Sequence, residues 1–420
     1  MNKSSFLHSK VLRSNIALFA IVCMIAGFFL SRAMLSMSMM LFGLNGLLGI
    51  HPKQWFKEKW WLLGVAWVAM YFISGFWSHD MDYWRTRCEV KLPFLILPIA
   101  FAFTAPFSQK QQKIFTLALN CVLLFGVAYS LSFLFSDPEF YIKGYDYSNV
   151  LPTLPKGDHI VFSLSMALAV VWNVYFFPYC KDFLLKAFVL TTTLIFIVML
   201  HVLAARTGLA ALYLFAIGWC IYAALKKSTR MLGIGLLVGF LIAGFFAAKF
   251  VPTLQNRLDH FNYTIVMFKE GNMSGDYSDI GRYMSYDIAL KLIKRHPWQG
   301  VGAGNMLDSM KGAYDQWHPQ LPDKQRLIPH NQFLTVALGC GLPAMLLFIA
   351  WVLYPLAEIK RNRTGFFFLI LWCMLLVPLM VEPVLEIQFG VFVYLFFTLW
   401  LRRIMLNQRA KAGELQEQIT

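Results

Sequence analysis

The sequence predicts an all-helical integral membrane protein with about twelve membrane-spanning segments and one long, partly helical loop between the ninth and the tenth. Three observations lead there. Of the 420 residues, 58% are hydrophobic and only 14% charged, and mean hydropathy is +0.57, whereas soluble chains average about a quarter charged. Apolar runs close to the ~20 residues that cross the hydrocarbon as helix recur along nearly the whole chain. Lys and Arg crowd one side of the segments so drawn. A water-soluble enzyme is excluded.

The segments fall at 15–31, 33–50, 60–77, 92–107, 114–135, 159–177, 183–204, 208–225, 231–250, 331–354, 366–381 and 384–401. An even number places both termini on one side. With that side taken as the cytoplasm, twenty of the 37 Lys and Arg face inward, from Lys3, Lys10 and Arg13 to Arg402, Arg403, Arg409 and Lys411. Seven lie in short outer connections, nine in the 251–329 loop, and Lys249 ends a helix. Long loops translocate whatever their charge, so the bias stands. The net charge of +15 is then an orientation signal and calls for no nucleic acid. The chain divides into transmembrane helices one to nine over 1–250, an outer loop over 251–329, helices ten to twelve over 330–401 and a cytoplasmic tail over 402–420.

The first segment has the basic flank of a signal peptide, yet no small-residue cleavage site follows it, and we read it as a retained helix. Six of the seven cysteines fall within or beside the apolar segments, Cys88 alone lies in an outer loop, and none forms a CxxC pair. Neither a disulfide frame nor a zinc site is indicated.

Two polar stretches interrupt the pattern on the outer side. The first, 136–158, is rich in Tyr, Pro and Gly and reads as irregular chain capping the bundle. Within 251–329, Ser278 or Asp279 can cap a helix in which Met284, Ile288, Ala289, Leu292 and Ile293 follow helical spacing until His296-Pro297 stops it. An amphipathic helix on the outer surface is expected there, followed by the glycines of GVGAGN.

Polar residues kept at a membrane boundary are the functional candidates. Arg206, in AARTG between two apolar segments, is either a snorkelling anchor or an anion ligand. Arg282 opens the amphipathic helix, where it reads as a surface cation or as part of a site. His330 begins the tenth segment as PHNQFL, where a neutral imidazole can act as base or serve structure alone. Asp80 and Asp82 in HDMD have a cation-binding spacing but read better as a solvated turn. GVGAGN lacks the Lys-Ser/Thr and the preceding strand of a nucleotide loop, so a tight structural turn is expected. Glu382 and Glu386 in VEPVLE can orient Arg or His across the bundle or stand as loop acids.

Together these residues carry a resemblance. Arg206-Thr207-Gly208, then Gly281-Arg282, then His296-Pro297-Trp298-Gln299-Gly300-Val301-Gly302-Ala303-Gly304-Asn305, His330-Asn331-Gln332-Phe333-Leu334 and Gly339-Cys340-Gly341-Leu342-Pro343 follow one another in an order and spacing that resemble the O-antigen ligase and O-antigen polymerase family. The likeness covers roughly 200 to 345 and is one of topology elsewhere. It implies a GT-C-like membrane glycosyltransferase of the bacterial inner membrane, serving lipopolysaccharide biosynthesis, with its active site at the periplasmic face.

The resemblance further implies an undecaprenyl diphosphate-linked glycan as donor and a lipid A-core hydroxyl as acceptor, with inversion and with neither metal nor cofactor. Arg206 and Arg282 are carried over as the pair that binds the diphosphate, a role suited to guanidinium forks. His330 is carried over as the base, with Asn331 holding the acceptor or the loop; His296 and His318 are runner-up bases. Arg85, Arg87 and Lys91, beside the fourth segment, contact either the lipid diphosphate or lipid head groups. A polymerase or a protein O-oligosaccharyltransferase is the alternative within the family. A transporter of lipid-linked glycan is the alternative from another class, although the long outer loop and HPKQWFKEK between segments two and three differ from the plan of major-facilitator carriers.

Overall fold

A computed structural model describes residues 10–48, 52–105, 107–144, 151–155, 158–250 and 278–417. The described residues form α1 Lys10–Leu30, α2 Arg32–Leu47, α3 Lys59–Ile73, α4 Met81–Phe103, α5 Gln109–Ser136, the short α6 Pro138–Gly144 where irregular chain is expected, α7 His159–Phe176, α8 Phe183–Leu203, α9 Arg206–Leu225 and α10 Arg230–Phe250. They continue with α11 Ser278–Arg295, α12 Met306–Trp317, α13 Gln332–Leu353, α14 Arg363–Val381 and α15 Gln388–Glu417. No strand occurs among the described residues.

Nine helices among the described residues are long and apolar enough to cross a membrane, against the twelve spans expected. The chain is a multi-pass membrane protein. Three helices on expected spans are not among the nine: α2, only 16 residues long, α4, whose first half carries Asp82, Arg85, Arg87, Glu89 and Lys91, and α10. Residues 251–277 of the expected outer loop, and 145–150 and 156–157 of the first polar stretch, lie outside the described residues. The tail drawn from 402 is helical, since α15 runs on to Glu417.

α7 and α15 form the centre of the bundle, with 83% and 89% of their apolar windows buried, while the more peripheral α8 and α9 bury 39% each. Apolar side chains left exposed on the peripheral helices, such as Leu190, Leu194 and Val198 of α8, suit contact with lipid. Polar groups inside the bundle pair with one another: Asn120 and Asn173 exchange reciprocal hydrogen bonds at 2.9 and 2.8 Å, and Trp172 Nε1 donates to Thr116 Oγ1 at 2.9 Å. One end of the bundle is tied by Arg402, whose guanidinium grips Glu358 and Glu58. The other end carries the arginine, histidine and glutamate described next.

α13 is two helices joined at Gly341, which takes φ +86°. The chain 297–304 straps this break: Val301 N donates to Leu338 O at 2.8 Å, Gly302 N to Gly339 O at 3.1 Å, and Leu342 N to Pro297 O at 2.8 Å. The approach is so close that a Cβ on Gly300, at φ +69°, would lie 2.5 Å from Leu338 O. Asn305 closes the strap, accepting from His79 N at 2.7 Å and donating to Trp77 O at 3.0 Å. GVGAGN is thus a structural turn that restores the backbone bonds a broken helix gives up.

Candidate functional site

α11 forms as its spacing predicts, with Met284, Ile288, Ala289, Leu292 and Ile293 all buried, while Tyr283, Leu290, Lys291 and Lys294 are exposed. One turn apart on the helix, Arg282 and Tyr286 reach two residues that lie against each other, Glu382 and His330. Arg282 Nη2 donates to Glu382 Oε1 at 2.8 Å, and the Tyr286 hydroxyl donates to the carbonyl of His330 at 2.6 Å. His330 Nδ1 lies 2.7 Å from Glu382 Oε2, a short contact without hydrogen-bond alignment. Arg282 keeps a third of its side chain exposed, against 19% for His330 and 11% for Glu382. Cation, imidazole and carboxylate therefore meet at a half-open rim, where a carboxylate can hold the ring while both basic groups still reach outward.

Asn331 fixes this arrangement from α13. Its side-chain oxygen caps the helix by accepting from Phe333 N at 2.9 Å and Leu334 N at 3.1 Å, and its Nδ2 donates to Met380 O at 3.0 Å near the end of α14. Glu382 follows directly as the residue that ends α14, its amide on Pro378 O at 2.8 Å.

Arg206 is the first residue of α9, exposed, after a tight link in which Ala204 takes φ 51°. Two residues on, a Cβ on Gly208 would lie 2.5 Å from that of Ser163, so the start of α9 is pressed against the start of α7. Asp158 caps that helix through Val161 N at 3.0 Å. Burial pushes the Asp158 carboxyl up, the Val161 amide draws it back, and the Glu382 carboxylate adds a rise that the Arg32 guanidinium offsets. Arg206, Asp158, Arg32 and the Glu382 cluster thus share one end of the bundle.

The remaining basic candidates lie elsewhere. Lys91 is fully buried, donating to Glu386 Oε1 at 2.8 Å and Leu385 O at 2.5 Å. Arg87 donates to Glu386 O at 3.0 Å and lies over the Tyr83 ring. Arg85 is exposed and pairs with Glu89 one turn along α4. Of the other histidines, His318 Nε2 sits 3.6 Å from Asp287, and His296 is exposed beyond the end of α11. Asp80 caps α4 through Tyr83 N at 2.8 Å, a structural duty in place of cation binding. Among the described residues no three His, Cys, Asp or Glu side chains gather as metal ligands would.

Beneath the rim lies a second, buried centre on Glu386. Its Oε1 accepts from Lys91, from the Tyr71 hydroxyl at 3.1 Å and from Gln332 Nε2 at 2.8 Å, while Gln332 Oε1 accepts from Leu385 N at 2.8 Å. Burial pushes this carboxyl up, but Lys91 and Arg87 beside it outweigh that and hold it below the usual carboxylate range. No motif marks Tyr286, Asp158 or Arg32 as part of this end of the bundle; Tyr286 is signalled only by its spacing of four from Arg282.

No curated protein matches the chain. A family model described as O-antigen ligase matches residues 191–349, which takes in Arg206, Arg282 and His330 and stops short of Glu382. The matched span carries these three residues in the order the motifs predict, and over residues 191–349 the chain is similar to the O-antigen ligase family.

Proposed function

We propose that the protein transfers a glycan from undecaprenyl diphosphate to an acceptor hydroxyl, that of lipid A-core, at the periplasmic face of the bacterial inner membrane. The observation that carries this reading is the convergence of Arg282 and His330 on Glu382 at the end of the bundle where α9 presents Arg206. Arg206 and Arg282 bind the diphosphate bidentately, which a point charge such as Lys does less well. His330 accepts the proton of the acceptor hydroxyl at Nε2 as the acceptor oxygen attacks the anomeric carbon of the donor. The bond from that carbon to the diphosphate oxygen breaks on the opposite face, which inverts the anomeric centre. Its electron pair leaves with undecaprenyl diphosphate, whose growing charge the two guanidinium groups offset. The imidazolium then returns its proton to solvent.

In this reading Arg87 and Lys91 hold the site from beneath through Glu386, Arg85 meets head groups, and Asn331 sets the position of His330. The basic bias of the Arg402 end orients that end to the cytoplasm.

Purified protein given lipid-linked glycan and acceptor, without an energy source, is expected to form the joined product. Movement of the donor across a vesicle membrane with no product formed would instead assign a transporter. The acceptor is tested in cells: loss of long surface chains with accumulating lipid-linked polymer marks a ligase, and surface lipid capped by a single repeat marks a polymerase.

A further inference from the structure

We infer that Glu382 is a positioning residue with two duties, an inference that rests on the proposed glycan transfer. Its carboxylate takes the place of a donor phosphate on Arg282 until the donor arrives, and it then holds His330 as the base.

Both of its oxygens are engaged by the proposed machinery: Oε1 by Arg282 at 2.8 Å and Oε2 by His330 Nδ1 at 2.7 Å. An acid placed for packing alone has no reason to divide itself between these two groups. The backbone leaves it little freedom. The Glu382 amide is bound to Pro378 O, Pro383 follows, and four residues on Glu386 is fastened by Lys91, Tyr71 and Gln332. The carboxylate is therefore held between a helix end and a buried ion pair, and its partners must come to it.

A guanidinium shared with one carboxylate oxygen gains by moving to a diphosphate, which offers more charge and a bidentate edge. Arg282 is a third exposed and can make that move. Once it does, Glu382 is left to His330. A carboxylate at Nδ1 favours the tautomer with its proton there, which turns the Nε2 lone pair to the acceptor, and it offsets the charge of the imidazolium that forms. The Nδ1 contact is close but unaligned, the kind of geometry that tightens when substrate binds.

The test uses the purified full chain with Glu382→Gln and Glu382→Asp, and two readouts: binding of inorganic pyrophosphate, and steady-state transfer from the lipid-linked donor. E382Q is expected to bind pyrophosphate several-fold more tightly than the unsubstituted protein while its kcat falls roughly tenfold to a hundredfold, the range over which proton transfer contributes. E382D should recover part of that kcat. A kcat within about twofold of the unsubstituted protein, or pyrophosphate binding weakened along with kcat, makes Glu382 a structural tie only and overturns the inference. If E382Q does not survive purification, E382D must lower kcat more than it alters pyrophosphate binding, and an equal loss in both overturns it. Unsubstituted protein that binds pyrophosphate but forms no product sinks the transfer reading, which is a different result from either of these.

Discussion

Lys91 and Glu386 stand 295 positions apart in the chain and 2.8 Å apart in the bundle, both fully buried. Removing one member of such a pair strands the other charge, at about 3–5 kcal/mol, whereas removing both is much milder. Lys91→Met is therefore expected to lower the thermal midpoint of the detergent-solubilised protein sharply. Lys91→Met with Glu386→Gln should lie between that variant and the unsubstituted chain. A double variant no more stable than Lys91→Met would show that the pair is not coupled.

The same pair sets an acid limit. Lys91 and Arg87 hold the folded-state Glu386 below its ordinary value of 4.5. A carboxyl depressed by folding contributes stability that is present above that ordinary value and is lost as pH falls below it toward the folded value. The thermal midpoint should fall on acidification below about 4.5, and Glu386→Gln should flatten that part of the profile. An unchanged acid limb in Glu386→Gln would assign it to other carboxylates.

Much of this arrangement can be read from residue order, and some of it cannot. Helical spacing from Met284 to Ile293 places α11, and His296-Pro297 ends it, because periodicity and backbone breakers are local properties. Arg282 and His330 are visible because their motifs are local too. Glu382 is readable only as a loop acid with a choice of partners, since its meaning lies in two residues 100 and 52 positions away. Lys91 reads as an outer-loop cation because a buried charge looks like an exposed one until its counter-ion is located. The break at Gly341 is hidden in the continuous apolar run of 331–354, where composition fits one straight helix equally well.

That break yields a contrast between glycines. At φ +86°, Gly341 occupies a backbone region that costs other residues about 1–3 kcal/mol, and a Cβ there would stand 2.2 Å from Trp298 O. Gly341→Ala must push away the strap that restores the bonds of the broken helix, so both thermal midpoint and transfer should drop. Gly235→Ala, where the added methyl meets no atom within 4 Å among the described residues, should change neither. Equal effects at the two positions would mean that the strap yields freely.

The arginines and the histidine should fail in different ways. Arg206→Ala and Arg282→Ala remove guanidinium forks from the charge that develops on the leaving diphosphate, so each should abolish transfer while the protein still folds and inserts. Lys at either position restores charge without bidentate geometry and should recover activity only in part. His330→Ala leaves the phosphate ligands in place, and its turnover should fall far more than its affinity for the donor. Kinetics on a defined lipid-linked glycan separate the two, because loss of uniform binding raises KM whereas loss of a proton acceptor lowers kcat. Full turnover in His330→Ala would move the base elsewhere, and His318, whose Nε2 lies 3.6 Å from Asp287, is the side chain to replace next.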